Sequence, residues 1–206
     1  EGGPKILPSY PDELSEHARR DLVNLGVDVR TGTLVSEIGE HHVVAGSERI
    51  HAHTILWAAG NAASPLGRDL QAKLDRAGRV EVEPDLSISG HPEVFVIGDL
   101  AATTTHGKSV PGVAPAAMQM GRHAAKNIRR DLEQRERVAF RYRNKGDLAT
   151  IGRYRAIADF GWLRVTGGLA WWFWLFLHIM YLAGFRNRVS VLVEWAYSYF
   201  TYERGA

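Results

Sequence analysis

The sequence predicts an α/β fold, Rossmann-like in each of two partial halves and closed by a helical hairpin dense in aromatic residues. Three observations carry that prediction. A helix-period segment near the amino terminus is followed by several short strand-like runs. An apolar run at 94–97 ends in Gly98 and Asp99, and a Pro-Gly turn beyond it opens a helix of small residues. The stretch 165–185 holds 21 residues without Asp, Glu, Lys or Arg.

Taken in order, Ser9 and Pro11 open the first helix, with Leu14, Ala18, Leu22 and Leu25 on one face and Gly26 as its stop. VDVRT (27–31), TLVSEI (33–38), HHVVAG (41–46) and TILWAAG (54–60) read as strands, giving one crossover unit and then a small antiparallel layer. TILWAAG ends in small residues that let backbone approach a ligand closely, although the same pattern also serves as a plain tight turn. Residues 61–93 contain a turn at 75–78 and an edge strand, VEVEP, closed by Pro84. Residues 113–135 read as a long helix with Ala116, Ala117, Met120, Ala124 and Ile128 as its apolar stripe and basic residues toward its end. GDLATIGRYRAIADF (146–160) reads as a β-hairpin.

The hydrophobic tail is long enough to pose a question of topology. At ~1.5 Å per residue, 21 residues reach about 31 Å, against roughly 30 Å of bilayer hydrocarbon. Gly167 and Gly168 should fray its start, leaving a helix near 169–184. Trp171, Trp172 and Trp174 cluster at one end, and indoles favour the headgroup boundary. A second apolar helix, 189–200, follows a corner of Arg186, Asn187 and Arg188. A hairpin lying in the membrane interface fits these features better than a span. His178 is expected to hydrogen-bond within that hairpin and has no catalytic role.

Net charge is only +2, but residues 1–106 hold 9 Lys/Arg against 16 Asp/Glu and residues 107–206 hold 16 against 7. A basic, aromatic second half points to an anionic surface as partner, with nucleic acid as the other candidate. The absence of Cys excludes a redox disulfide, a thiolate nucleophile or a cysteine-ligated metal within these residues.

The chemistry concentrates at 94–119. A buried strand ending in Gly98-Asp99 places a carboxylate at the carboxyl edge of a sheet, where open α/β folds bind ligands, and the helix start beyond it offers N–H groups to an anion. That pairing suits a flavin dinucleotide, with the carboxylate on ribitol hydroxyls.

The ordered series ILPSYPDELS (6–15), TILWAAGNAASPLG (54–67), DRAGRVEVEPDLSISGHPEVFVIGDLAA (75–102), PGVAPAAMQMGRHAAKNI (111–128), GDLATIGR (146–153) and GFRNR (184–188) resembles the type II NADH dehydrogenases. These are non-pumping, two-dinucleotide flavoproteins. The resemblance implies that NADH passes a hydride to FAD and that two electrons then go to a membrane quinone. Neither of the two GxGxxG loops such an enzyme needs is present, nor is an initiator Met, so the chain reads as the carboxyl-terminal half of a longer protein, inactive alone.

The resemblance also implies site residues. Gly98, Asp99 and Ala116 would bind FAD. Glu1 would take the adenosine ribose hydroxyls of NADH, with Ala59 and Gly60 near the dinucleotide. Pro115, Gln119, Thr150 and Ile151 would belong to the quinone pocket. Pro115 stands where the family often has a glutamine, so headgroup contacts do not carry over. The implied segments are 1–62 for the NADH domain, 63–140 for the FAD domain, 141–164 for a hairpin at the quinone site and 165–206 for the membrane anchor. The implied location is the cytoplasmic face of the cell membrane, peripheral, with no nucleic acid bound and a homodimer left open. Two other readings stay on the table: a soluble, ferredoxin-type FAD reductase, which would not need 165–200, and a non-enzymatic anchoring module, which would not need the ordered flavin motifs.

Overall fold

A computed structural model of the chain describes residues 1–60, 62–182 and 184–201. It divides into two compact units, Glu1–Ile55 with Lys145–Ala206, and Leu56–Asn144. The hairpin segment and the tail helices therefore share a unit with the first 55 residues.

The first unit opens with α1 (Asp12–Asn24), which Pro11 caps and whose first turn carries Asp12 and Glu13, the charge a helix N-terminus favours. Leu14, Ser15 and Ala18 are buried, and Gly26 leaves the helix at φ +85°, a conformation that suits glycine. Next come β1 (Val35–Ile38), β2 (His42–Ala45) and β3 (Glu48–His51), an antiparallel meander. The strands expected at 27–31 and 54–60 do not form among the described residues. Both runs are rich in β-formers, but a strand exists only where a neighbour completes its ladder. Leu56 and Trp57 are 87% and 63% exposed accordingly.

The second unit holds the single turn α2 (Leu66–Asp69), then β4 (Val80–Glu81), β5 (Ser87–Ile88), β6 (His91–Phe95) and β7 (Ala101–Ala102). β4 pairs with β7 in parallel and β5 with β6 antiparallel. A small ribbon of β8 (Thr104–Thr105) and β9 (Lys108–Ser109) leads to α3 (Ala114–Leu132). Val80, Leu86, Val96, Ala101, Ala116 and Met120 form the centre of the core. On α3 the buried stripe is Ala116, Met120, Ala124 and Asn127; Ile128, expected on that stripe, is 47% exposed because Asn127 takes the inward position.

Asn127 justifies its burial by clamping one peptide. Its Nδ2 donates to the Val138 carbonyl at 3.0 Å, and its Oδ1 accepts the Val138 N–H at 3.1 Å. Next door, Arg137 donates to Asp85 at 2.9 Å and to Asp131 at 2.6 Å, with its guanidinium 4.7 Å from the Phe95 ring centre. Burial alone would raise the Asp85 carboxyl, but hydrogen bonds from Ser87 and Arg137 hold it below the ordinary carboxylate range. Arg137→Ala leaves Asp85 without its cation and is expected to cost about 2–3 kcal/mol, below the 3–5 of a fully buried pair. Urea denaturation checks this, and Arg137→Lys should recover only part of the loss because it lacks the planar fork.

The chain returns to the first unit through β10 (Asp147–Gly152), β11 (Arg155–Asp159) and β12 (Arg164–Thr166), an antiparallel sheet in that order. Ala149, Ile151 and Ile157 pack with Leu14 and Ala18 of α1. The opposite face sets Leu148, Ala156 and Ala158 against Ala170 and Trp171 of α4 (Gly167–Tyr181). Ala156, Ala158 and Ala170 are wholly buried, and their small side chains let helix and strand approach closely. Tyr10 lies at the α1 face, where burial, and then the carboxylates of Asp147 and Asp159, push its phenol up to about 12.

That shift has a sign. Below pH 10 the phenol is neutral in both folded and unfolded chains. Between 10 and about 12 only the unfolded chain ionises, so stability falls across that window. Tyr10→Phe should flatten the alkaline limb of stability against pH, and an unchanged limb would remove Tyr10 from the account.

The tail departs from expectation in two places. Helix α4 begins at Gly167, with no frayed turn before Leu169, because Gly167 takes a positive φ of 70° at the very first position. Arg186, Asn187 and Arg188 do not form the corner; they lie in the first turn of α5 (Phe185–Thr201), after a turn with Gly184 at φ +80°. Arg188 Nε donates back to the Leu182 carbonyl at 3.0 Å. Helices α4 and α5 touch through Trp174 and Trp195, stacked at 5.7 Å with planes 6° apart. His178 donates within its own helix to the Trp174 carbonyl at 2.8 Å.

Candidate functional site

The second unit brings the Gly-Asp signal and the start of α3 together. Strand β6 stops at Phe95, Val96 N–H bonds to the Leu86 carbonyl at 3.0 Å, and Gly98–Leu100 then makes a single 3-10 turn. Gly98 sits at φ +71°, the left-handed region where a side chain would be strained. Its N–H points at Met120 Sδ at 3.2 Å, which ties the turn to α3. Asp99 is exposed, and its carboxylate makes no hydrogen bond or ion pair among the described residues. Gly112 lies beside it: a Cβ there would stand 3.5 Å from Asp99 Cγ, an ordinary van der Waals contact.

The anion-binding part of the expectation is narrower than the sequence suggested. The N–H groups of Ala116 and Ala117 both turn back to the Val113 carbonyl, at 2.9 and 3.1 Å, and Pro115 has none. Within the first turn Ala114 alone keeps an N–H that the helix does not use. Ala116 is 1% exposed and contributes to the core, so its methyl fixes where the helix starts. Gly112 is the site neighbour that sequence reasoning passed over. Its signal was the Pro111-Gly112 pair, read as a turn and not as a neighbour of Asp99.

Gln119 has a structural task already. Its Nε2 donates to the Arg143 carbonyl and its Oε1 accepts the Arg143 N–H, both at 3.0 Å. Both ends of the amide are thereby occupied. Pro115 and Gln119 belong to the second unit, Thr150 and Ile151 to the first. Ile151 packs with Leu14 and Ala18, whereas Thr150, paired with Ala156, alternates to the other face of the sheet.

Glu1 belongs to the first unit and Ala59 and Gly60 to the second. The Glu1 carboxylate accepts the Gly3 N–H at 2.7 Å, and its carbonyl accepts from Thr33 at 3.1 Å, which holds the first residues beside the start of β1. Ala59 and Gly60 are exposed, and Gly60 takes φ +90°.

In the first unit a groove of about 530 Å³ opens between α4 and α5. It is lined by Tyr154, Trp171, Trp172, Trp174, Leu192 and Trp195. Among the described residues no three His, Cys, Asp or Glu side chains stand at metal-bonding geometry.

Residues 1–121 match the family described as pyridine nucleotide-disulphide oxidoreductase, and residues 144–202 match the NDH2 C-terminal domain. The chain belongs to the pyridine nucleotide-disulphide oxidoreductase family. Within that family it groups with the type II NADH dehydrogenases. It is 38% identical to the type II NADH:quinone oxidoreductase Ndh of Mycobacterium tuberculosis, over all of this chain and 46% of that protein. Identity to NdhA of the same organism is 39%, again over all of this chain and 46% of the relative. The chain thus spans about half the length of the curated relatives it matches. In fold it is similar to NDH2 of Plasmodium falciparum in complex with NADH, at TM-score 0.83 and 16% identity, covering 96% of this chain and 56% of that one. An NAD-dependent persulfide reductase from A. fulgidus aligns at 0.63 and 20%, over 76% of this chain and 30% of the other.

Proposed function

We propose that these residues form the carboxyl-terminal half of an NADH:quinone oxidoreductase, in which the second unit holds FAD and the first unit carries the membrane contact. The match of the whole of this chain to about half the length of enzymes of that name carries the reading. The site fits the cofactor chemically. The Asp99 carboxylate, with no partner among the described residues, is an acceptor for ribitol hydroxyls, and Gly98 gives the turn that presents it. When bound, the flavin supplies the two-electron chemistry between NADH and quinone. Asp99 would hold and orient it, and the Ala114 N–H, unused by the helix, would be available to it as a donor.

Helix α4 supports the membrane part of the proposal. Its 15 residues reach about 23 Å at ~1.5 Å each, short of the roughly 30 Å hydrocarbon core. No described helix is long and apolar enough to cross a membrane. Leu169, Trp172 and Phe176 of α4 and Phe185, Val193 and Tyr197 of α5 are all more than half exposed, the pattern of a hairpin that lies in an interface. The exposed Leu56 and Trp57, and the unpaired runs at 27–31 and 54–60, are where the other half would complete the sheets.

The reading is tested by giving the complete enzyme NADH under anaerobic conditions and then a short-chain quinone. Flavin absorbance should bleach with NADH and return with the quinone. Bleaching without return would leave an NADH-dependent flavoprotein with a different acceptor.

A further inference from the structure

The turn that presents Asp99 has to be chosen by something other than its glycine. Glycine enters the left-handed region about as readily as its mirror image, so Gly98 permits a φ of +71° without selecting it. The flanking backbone does little to select it either: Val96 is tied to Leu86, but Ile97 and Asp99 are exposed. Helix α3 lies against the turn with Ala117, Met120 and Gly121, which share one face at i, i+3 and i+4. A Cβ on Gly98 would stand 3.5 Å from the Ala117 Cβ, and one on Gly121 would stand 3.7 Å from Ile97 Cδ1.

Met120 adds a polar link to that packing. Its side chain is 1% exposed and shares a core with Val80, Leu86 and Val96, yet its sulfur accepts the half-buried Gly98 N–H at 3.2 Å. Among the described residues this is the one acceptor that α3 offers the turn. A leucine would fill nearly the same volume but has no lone pair, so it would leave that N–H without a partner. Packing needs only an apolar side chain here; the thioether supplies direction as well.

We infer that Met120 is a positioning residue for FAD: its sulfur holds Gly98 in the left-handed turn and thereby aims the Asp99 carboxylate at the ribitol hydroxyls. The inference rests on the reading of Asp99 as the flavin's acceptor. Met120 is buried behind the turn, so it acts through Asp99 and needs no contact with the cofactor. One neutral hydrogen bond is worth about threefold to tenfold in an equilibrium, and that is the expected share of flavin affinity.

Two measurements on the complete enzyme separate the bond from its consequence. In the flavin-free protein the Gly98 amide should exchange slowly with deuterium, and Met120→Leu should speed that exchange at least threefold. FAD titrated into the same variant should bind about threefold to tenfold more weakly, while its circular dichroism stays that of the wild type. Met118→Leu, the same change on another face of α3, is the control and should alter neither. In an Asp99→Ala background Met120→Leu should cost no further affinity, because its effect passes through that carboxylate. A core merely loosened would weaken binding in both backgrounds alike. If Met120→Leu loses its fold, Met120→Ile, which also lacks an acceptor, takes its place. Unchanged exchange at Gly98, wild-type FAD affinity in Met120→Leu, an equal loss in Met118→Leu, or full additivity with Asp99→Ala would each overturn the inference. Full FAD affinity in Asp99→Ala alone would instead strike the acceptor reading itself, and the inference with it.

Discussion

Asp99→Ala in the complete enzyme is expected to give protein that purifies flavin-poor, with FAD affinity at least tenfold to a hundredfold lower. An ionised acceptor in a hydrogen bond contributes about 1.5–3 kcal/mol, which is that range in binding. The carboxylate is exposed and bonds to nothing else among the described residues, so its removal should cost the fold less than about 0.5 kcal/mol. Loss of flavin is thereby separable from loss of structure. Asp99→Asn keeps one acceptor and should fall between the two. The measurement is the flavin-to-protein ratio after purification, followed by titration with FAD. Full occupancy at wild-type affinity would remove Asp99 from the site.

Truncation after Leu182, which removes α5, should release the enzyme from membranes while leaving NADH oxidation by a water-soluble acceptor intact. Each large apolar side chain withdrawn from an interface forfeits ~1.5–3 kcal/mol at full burial, and Phe185, Leu192 and Val193 all leave together. Partition onto vesicles of anionic phospholipid should therefore drop more than tenfold, and membrane quinone reduction should go with it. A cut before residue 165 is a different experiment. It removes α4 and uncovers Ala156 and Ala158, so the sheet that α4 covers should lose its fold. Attachment that survives loss of α5 unchanged would place the membrane contact elsewhere. In the intact enzyme, a tag after Ala206 should be reachable only from the cytoplasmic side.

Elements with a complete local signal were legible in the sequence. Pro11, the Leu14–Ala18 spacing and Gly26 define α1, and the β10–β11 hairpin carries its own alternation. The runs at 27–31 and 54–60 have the composition of strands, but their pairing partners are not encoded nearby, and composition cannot report a missing ladder. The Gly98-Asp99 signal was legible as a ligand-facing position but not in its local form: the expected buried strand stops at Phe95, with its residues exposed or half-buried, and Gly98 opens a 3-10 turn. The grip of Gln119 on the Arg143 peptide was not legible, because its partner lies far along the chain. Thr150 and Ile151 were assigned together through the resemblance; which face of the strand each one takes follows only from the β10–β11 register. The start of α4 was placed two residues late because Gly167 and Gly168 were weighed as a frayed turn, whereas Gly167, at positive φ, stands at the helix border.

The stacked pair Trp174 and Trp195 gives this hairpin a voice of its own. Two identical chromophores at that separation exchange excitation, and a twist of their transition dipoles within the stacked planes splits their circular dichroism into a couplet that neither indole would show alone. The couplet depends on α5 lying against α4, so it vanishes when the helices part. The docking state of the hairpin, in water, in detergent or on a vesicle, can therefore be followed optically with no label attached.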